Sequence, residues 1–266
     1  QIERRPLVPG HLSVTEGAGT QLTFPRSIDT VLFDAFNTLW RPSRPVADMW
    51  AEVLDQFDAV RTPREIINAV AAHQLWMAPQ VLSFESSGRP VDDDTNDALW
   101  TEFDGRVLCS LGVDVSDDAV VSNVLPIFNA SNLALYDDTV EVLESIQSIG
   151  YRTAIVSNGV YQQRAAVRLG ILAYFETIIG SWHVGFMKAD PEIFKMALRA
   201  LGVTAEQALK VGDTWHDEVK GARSLRIRTL HLRRGETVDE SWGEISSLFG
   251  VIELLDHHGK HQARKY

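Results

Sequence analysis

The sequence contains very little cysteine, with Cys109 as the single example among 266 residues. One cysteine cannot form an intramolecular disulfide, and it excludes a zinc site built from two or more thiolates. Long apolar runs are also missing, because none approaches the roughly 20 residues that a membrane-spanning helix needs. The first residues lead into no apolar stretch of the kind found in a secretion signal. These absences favour a cytoplasmic protein with no membrane partner.

Basic residues are scarce relative to acidic ones. Lys and Arg number 25 against 36 Asp and Glu, which gives a formal net charge of −11. Nucleic-acid binding is driven by basic surfaces, so the charge argues against a nucleic-acid partner. A small anionic substrate remains compatible with this charge if a cation or local positive groups hold it. The hydrophobic content of 45% is that of an ordinary globular protein.

Short apolar runs rich in β-forming residues alternate with segments of helical periodicity. The predicted strands are 30–33, 153–156, 177–179, 208–211 and 228–232, and the predicted helices between them are 139–149, 161–169, 191–201 and about 217–225. Strands and helices that alternate in this way indicate βαβ units and a parallel sheet covered on both faces. The sequence therefore predicts an α/β fold with a doubly wound, Rossmann-like sheet.

One long segment, 44–132, breaks this alternation because its pattern is helical throughout. Its helical candidates cover about 46–57, 63–77, 92–111 and 116–128. An all-helical insertion directly after the first strand would lie over the carboxyl ends of the strands, where open α/β sheets bind ligands. The predicted organisation is an N-terminal arm (1–27), an α/β core domain (28–43 and 133–254), the inserted helical domain (44–132) and a C-terminal tail (255–266).

Polar residues cluster where the predicted strands end or where the next helix begins. They are Asp34 and Thr38 after the first strand, Ser157 and Asn158 after the second, Lys188 before the helix at 191–201, and Asp213 after the strand at 208–211. Parallel strands end at one edge of the sheet, so these groups can meet there although they are distant in sequence. The clusters predict a functional site that contains two carboxylates, two hydroxyls, an amide and an ammonium group.

This set of groups suits displacement on an anionic substrate. A carboxylate can attack phosphorus or carbon and form a covalent intermediate that water later breaks. Because it also repels a phosphate dianion, a divalent cation must lie between them, and Asp34 and Asp213 are two oxygen ligands of the kind Mg²⁺ prefers. The groups that could stabilise the transferring oxygens are Lys188, Thr38, Ser157 and Asn158.

From about residue 28 to residue 234 the chain resembles the haloacid dehalogenase superfamily, whose members are mostly magnesium-dependent phosphatases with an aspartyl nucleophile. All four motifs occur in order, and a helical cap lies between the first two. The resemblance implies that Asp34 is the nucleophile, Thr38 and Ser157 bind phosphoryl oxygens, and Lys188 stabilises charge. It makes Asp213 a magnesium ligand, together with the backbone carbonyl of Phe36. We therefore expect a Mg²⁺-dependent hydrolase of small phosphate monoesters that forms an aspartyl-phosphate, as a monomer or homodimer.

Three positions depart from the pattern of that family. Phe36 stands where many of these phosphatases carry an acid that protonates the leaving group and then activates water. Asn37 replaces the usual glycine, although asparagine tolerates a left-handed backbone better than most residues. Glu218 occupies the position of a second acid that is usually Asp, with Asp217 one residue earlier. His216, beside the predicted site, could relay protons in place of the missing acid.

Two alternatives remain open. An aromatic residue at position 36 is similar to the haloacid dehalogenases proper, which use Tyr there and need no metal, although they tend to have Ser and Asn where this chain has Gly212 and Asp213. The second alternative is a protein that has lost turnover and only binds a ligand. For the phosphatase, substrate identity is expected to reside in the cap, with residues between about 82 and 94 as candidates.

Overall fold

The computed structural model describes residues 28–85, 87–116, 121, 132–159 and 161–262. Its strands in chain order are β1 (Thr30–Phe33), β2 (Trp40–Pro42), β3 (Leu133–Leu135), β4 (Arg152–Ser157), β5 (Thr177–Gly180), β6 (Ala208–Gly212), β7 (Arg228–Leu232) and β8 (Glu244–Ile245). Its α-helices are α1 (Val46–Asp55), α2 (Pro63–Glu85), α3 (Asp93–Ser110), α4 (Thr139–Ser148), α5 (Gln162–Arg168), α6 (Ser181–Val184), α7 (Pro191–Leu201), α8 (Gly221–Ser224) and α9 (Phe249–Gln262). Short 3₁₀-helices cover Leu172–Tyr174, Ala205–Gln207 and Glu240–Trp242, and a π-helix covers Trp215–Lys220.

The main sheet has the strand order β5-β4-β1-β6-β7-β8, and all its strand pairs are parallel. Phe33 at the end of β1 pairs with Ile155 of β4 on one side and with Val211 of β6 on the other. The chain winds outward from β1 through β4 and β5, and then continues at β6 on the opposite side. The strand order therefore reverses beside β1, which is where ligands bind in doubly wound sheets. The predicted fold class is confirmed.

Side chains of β1 point alternately to two hydrophobic cores, as the period of a strand requires. Val31 and Phe33 face a core that also contains residues of α4, α5 and α9, whereas Leu32 faces a second core with residues of α7 and α8. Burial on both faces explains why the central strands are apolar without alternation. This packing fixes β1, and with it the start of the loop that carries Asp34.

Helices α1 to α3 form a third hydrophobic cluster, around Trp50, Leu54, Ile66 and Leu108, which Trp182 of α6 also joins. The chain enters this helical segment through β2 and leaves it through β3. These two strands pair antiparallel, with Trp40 opposite Leu135. The sequence patterns predict neither strand, because each is only three residues long.

Several expected boundaries differ from the structure. Helix α2 continues past Pro79 to Glu85 although a proline usually interrupts a helix, and beside this proline the Gln80 side-chain Nε2 donates to the Trp76 carbonyl. The expected loop at 82–94 is therefore shorter. In place of one helix over 217–225, the structure has the π-helix followed by α8.

Helix α9 extends to residue 262, so the expected tail from 255 onward begins inside a helix whose Leu255 is buried. The expected arm 1–27 and most of the candidate helix 116–128 lie outside the described residues. Among the described helices, none has the length and apolar content required to cross a membrane.

Candidate active site

Asp34 is the first residue after β1, and its side chain is almost completely buried, with 3% of the residue exposed. Its carboxylate accepts hydrogen bonds from Thr38 Oγ1 at 3.2 Å and from Ser157 Oγ at 3.0 Å, and it also accepts one from Lys188 Nζ. Burial alone would raise the pKa of Asp34, but the charges of Lys188 and Lys210 hold it below the usual value. The structure thus contains an ionised carboxylate at the centre of converging donors.

The loop after β1 turns back so that Thr38 can reach Asp34. Asn37 has a φ of +59°, in the left-handed region, as its residue type allows. The Leu39 amide donates to the Ala35 carbonyl at 2.8 Å, and the Asp34 amide donates to the Val211 carbonyl of β6 at 2.8 Å. These bonds extend the order of the sheet into the loop and orient both side chains.

Arg234, which follows β7, holds the same loop from outside. Its Nη2 donates to the Thr38 carbonyl at 2.7 Å, and its guanidinium forms two bonds to Asp138 at 2.9 and 3.0 Å. The guanidinium also lies 3.8 Å from the ring centroid of Tyr136. No sequence motif singles out Arg234, because its partners lie about 100 and 200 residues away in the chain.

Ser157 ends β4, and Asn158, which follows it, joins two loops of the site. The Asn158 side-chain oxygen accepts a hydrogen bond from the Lys188 backbone amide at 2.7 Å, while the Asn158 carbonyl accepts one from Gln162 Nε2. Asn158 therefore ties the Ser157 loop to the Lys188 loop. Its side-chain amide group remains the donor that could reach a substrate oxygen.

Lys188 is buried and bridges two carboxylates, because its Nζ donates to Asp34 and to Glu218. Burial alone would lower the pKa of Lys188, but the two negative charges raise it above its usual value. The ammonium group is therefore charged at neutral pH. The structure brings Lys188 to Asp34 as the sequence motifs predict.

Lys210 is a second buried lysine at the site. It lies on β6, and its Nζ is 2.7 Å from Glu218 Oε2, opposite the carboxylate oxygen that binds Lys188. Burial shifts the pKa of Lys210 downward and that of Glu218 upward, because it disfavours both charged forms. Lys188, Lys210, Asp34 and Glu218 form a buried quartet of two ammonium groups and two carboxylates with no net charge. A signal for Lys210 exists in the sequence, since a lysine interrupts an otherwise apolar buried strand.

Gly212 leaves the space that Glu218 occupies. A Cβ atom at Gly212 would lie 2.4 Å from Glu218 Cγ, so any larger residue would displace that side chain. The π-helix in which Glu218 lies is a type of local distortion that is common at functional sites. Glu218 is accordingly a buried partner of the lysines and not an ordinary exposed acid in the first turn of a helix.

Asp217 and His216 lie apart from this quartet. His216 Nδ1 is 3.1 Å from Asp217 Oδ1, and the His216 side chain is 68% exposed. Their observed interaction is with each other. Among the hydrogen bonds and ion pairs of the described residues, none joins His216 or Asp217 to the Asp34 carboxylate.

Asp213 follows β6 at the edge of the site and is half-buried. Its Oδ1 accepts a hydrogen bond from Thr214 Oγ1 at 3.3 Å, and its carbonyl oxygen lies 2.8 Å from His231 Nε2. Desolvation and the negative charge of Asp34 both raise the pKa of Asp213. This electrostatic conflict between two carboxylates is the kind that a cation relieves.

The oxygen groups at this edge fit magnesium better than zinc. The described part of the chain contains no group of three or more His, Cys, Asp or Glu side chains that could hold a metal. Mg²⁺ is usually held by only one or two carboxylates, with water and substrate phosphate completing its octahedron, whereas zinc sites use three or four protein ligands. Asp34 and Asp213, with the backbone carbonyl of Phe36, match the first pattern.

The helical segment is attached to the two loops that carry Ser157 and Lys188. Tyr161 OH donates to Asp97 Oδ1 at 2.5 Å and accepts a bond from Asn96, both on α3. The segment after α2 also bonds to the region of α6, through Val91 N to Trp182 O at 2.7 Å and Gly88 N to Gly185 O at 3.0 Å. These contacts place part of the segment beside the functional edge of the sheet.

Most of the chain is similar in sequence to a known protein family. The model of a family described as haloacid dehalogenase-like hydrolase matches residues 28–225. A glyceraldehyde 3-phosphate phosphatase of Methanopyrus kandleri is 31% identical over 137 residues, which are 50% of this chain and 59% of that protein. A phosphoserine phosphatase of Thermus thermophilus is 36% identical over 103 residues, 38% of this chain and 41% of that protein. The matched segments thus span about half the length of these curated relatives.

Solved structures give the same architecture. A 2-haloacid dehalogenase from Pseudomonas syringae pv. Tomato DC3000 superposes with a TM-score of 0.63 at 23% identity, covering 86% of this chain and 99% of that one. At this identity the likeness establishes the shared fold and does not distinguish between reactions.

Proposed function

Because the chain belongs to the haloacid dehalogenase-like hydrolase family, we propose that it hydrolyses a small-molecule phosphate monoester through a covalent intermediate on Asp34. The observation that carries the proposal is the environment of that carboxylate. Asp34 is buried and ionised, and Thr38, Ser157 and Lys188 donate to it. The same three donors would bind the oxygens of a phosphoryl group placed against the Asp34 oxygen.

The balance of charges at the site supports a phosphate substrate with a cation. The quartet of Asp34, Glu218, Lys188 and Lys210 is neutral as a whole, so it offers no surplus positive charge to a phosphate dianion. The Asp213 carboxylate, when ionised, adds one negative charge at its edge. When Mg²⁺ is bound by Asp34, Asp213 and the Phe36 carbonyl, it supplies the missing positive charge for the transferring phosphoryl group.

We assign the other roles in the reaction to individual residues of the chain. Lys188 holds a charged ammonium beside the position of the transferring oxygens, and Thr38 and Ser157 orient the nucleophile. Arg234 keeps the Thr38 backbone in place. We propose that residues 44–132 act as a cap that excludes water during the reaction and selects the substrate, since this segment contacts the loops after β4 and β5.

The test is turnover of phosphate monoesters by purified protein with Mg²⁺. Asp34→Asn should lower kcat by roughly 10⁴-fold or more, because it removes the attacking oxygen. Asp55→Asn, an exposed aspartate at the end of α1, is the matched control and should keep the rate. Thermal unfolding of each variant checks that the fold persists. Full activity of Asp34→Asn would contradict the proposal.

Adding a chelator separates the second candidate function, carbon–halogen hydrolysis by the same carboxylate. Phosphate-ester turnover should stop when Mg²⁺ is removed and return when it is restored. Turnover of haloacids that persists in chelator, with no hydrolysis of phosphate esters, would instead favour the dehalogenase. The repulsion between Asp34 and Asp213 favours the metal-dependent reaction.

A further inference from the structure

Phe36 places a phenyl group, 45% of the residue exposed, two residues after the proposed nucleophile. A phenyl group can neither donate nor accept a proton. Hydrolysis of an alkyl phosphate needs a proton for the departing alkoxide, which a positioned acid usually supplies. The question is therefore whether another side chain at the site can take that role.

The ionisable groups of the site are all engaged. The Asp34 carboxylate accepts hydrogen bonds from three donors, and both oxygens of Glu218 face the ammonium groups of Lys188 and Lys210. Each lysine is in turn paired with carboxylate, and burial of such pairs makes transfer of their protons to a leaving group unfavourable. Asp213 is the remaining carboxylate, and it is needed as a metal ligand in the proposed reaction.

Two histidines lie on elements beside Asp213, His216 in the π-helix and His231 on β7, and neither fills the gap. His216 is paired with Asp217 and points largely to solvent, at 68% exposure of its side chain. His231 lies partly buried, but its Nε2 is 2.8 Å from the Asp213 carbonyl. Among the described residues, the side chains that donate hydrogen bonds to Asp34 are those of Thr38, Ser157 and Lys188, and none of them is a carboxylic acid or an imidazole.

We infer that the enzyme acts on phosphate esters whose leaving oxygen departs as a stable anion, such as a phenolate, an enolate or a carboxylate, and discriminates against alkyl phosphates. This inference rests on the proposed function. In the first step an Asp34 oxygen bonds to phosphorus while the bond from phosphorus to the leaving oxygen breaks. The leaving oxygen keeps the electron pair and takes a proton from solvent after departure.

In the second step water attacks phosphorus, the bond to Asp34 breaks, and the proton of the water ends on the released phosphate. The first step sets the discrimination. A carboxylic acid has a pKa of about 4 and a phenol one of about 10, whereas an alcohol is a weaker acid than either, so its alkoxide is the poorest leaving group of the three. Without a proton donor, the rate should fall steeply along this series.

The experiment measures kcat/KM for nitrophenyl phosphate, phenyl phosphate and glycerol phosphate with Mg²⁺ at one pH. The wild-type protein should prefer nitrophenyl phosphate over glycerol phosphate by about 10²-fold or more, the range that a general acid normally supplies. Phe36→Asp introduces an acid at this position and should raise glycerol phosphate turnover relative to nitrophenyl phosphate by at least about 10-fold. Phe36→Asn has nearly the same side-chain shape as Phe36→Asp but no carboxyl group to donate a proton. Whatever its absolute rates, it should keep the wild-type ratio of glycerol phosphate to nitrophenyl phosphate turnover.

The outcomes separate the two proposals. Equal wild-type rates on glycerol phosphate and nitrophenyl phosphate would overturn the leaving-group inference and leave the phosphatase intact. The leaving-group inference is also overturned if Phe36→Asp and Phe36→Asn change the ratio alike. If no phosphate ester or acyl phosphate is hydrolysed, the proposed function itself fails, and the inference fails with it.

Discussion

The neutral buried quartet at the end of the sheet predicts how the site responds to loss of Lys210. Lys210→Met keeps the length of the side chain and removes its charge, so that Asp34 and Glu218 share the single ammonium of Lys188. One negative charge then has no counterpart in a region from which water is excluded. The structure therefore predicts a large loss of stability from one substitution.

The magnitude follows from the geometry. Lys210 Nζ and Glu218 Oε2 are 2.7 Å apart. Coulomb's law at an effective dielectric constant of about 20 gives an attraction of about 6 kcal/mol, and the desolvation of the lysine offsets part of it. Breaking one partner of a buried pair typically costs about 3–5 kcal/mol, so we expect Lys210→Met to lower the free energy of unfolding by that amount.

A second substitution in the same quartet tests the reason for the loss. Glu218→Gln alone leaves one surplus positive charge, whereas Lys210→Met with Glu218→Gln restores neutrality with Asp34 and Lys188 still paired. The loss of unfolding free energy in the double variant should be smaller than the sum of the two single losses by roughly 3 kcal/mol.

Urea unfolding at pH 7 measures all three free energies. Lys195→Met is a control, because Lys195 pairs with Glu192 at 2.5 Å on the surface, where such a pair contributes about 1 kcal/mol or less. Additive losses from Lys210→Met and Glu218→Gln would refute the claim that charge balance holds the quartet together. Kinetics of Lys210→Met provide an independent readout. Lys188 is then the one ammonium of the quartet that neutralises both Asp34 and Glu218, so its charge is less available to a phosphate ester and KM should rise.

Two further sites give predictions. Burial raises the pKa of Asp104 on α3 to about 7, above its unfolded value of 3.8. The protonated form therefore stabilises the fold fully below the unfolded pKa, and this contribution is lost as pH rises through the folded pKa. Asp104→Asn should therefore be more stable than wild type at pH 8 by up to about 4 kcal/mol, with the gap shrinking several-fold by pH 4.5 in urea unfolding; a gap independent of pH would contradict this. Arg234→Lys keeps the charge but cannot bind Asp138 with two parallel hydrogen bonds while also reaching the Thr38 carbonyl. We expect kcat to fall about 10-fold or more with KM little changed, because the loop that carries Thr38 is then less well positioned. An unchanged kcat would show that the contact does not position the loop.

The sheet and the centre of the site follow from short-range sequence patterns. The predicted strand 228–232 and the predicted helix 191–201 have the same bounds as β7 and α7. Asp34, Thr38, Ser157 and Lys188 meet because parallel strands end at one edge, which topology alone dictates. These features depend on local periodicity and on one rule of connection, so the sequence is sufficient to predict them.

Features that depend on distant partners escape such patterns. Arg234 interacts with Thr38 and Asp138, and neither spacing nor residue type relates these positions. The role of Glu218 also depends on the two lysines that surround it, whereas its sequence neighbourhood is that of an acid near a helix start. Pro79 shows the opposite error, since a strong local signal for a helix end is overridden by the packing of α2.

The way the helical segment joins the core has a consequence for how the site can operate. Tyr161, which binds Asp97 of α3, lies four residues after Ser157, and Gly185, which accepts a bond from Gly88, lies three residues before Lys188. The segment is thus attached to the two loops that carry donors to Asp34. Any displacement of α3 or of the segment after α2 either breaks these bonds or shifts the loops with them. Water exclusion by the proposed cap and the placement of the phosphoryl-binding donors are therefore linked through the same few contacts.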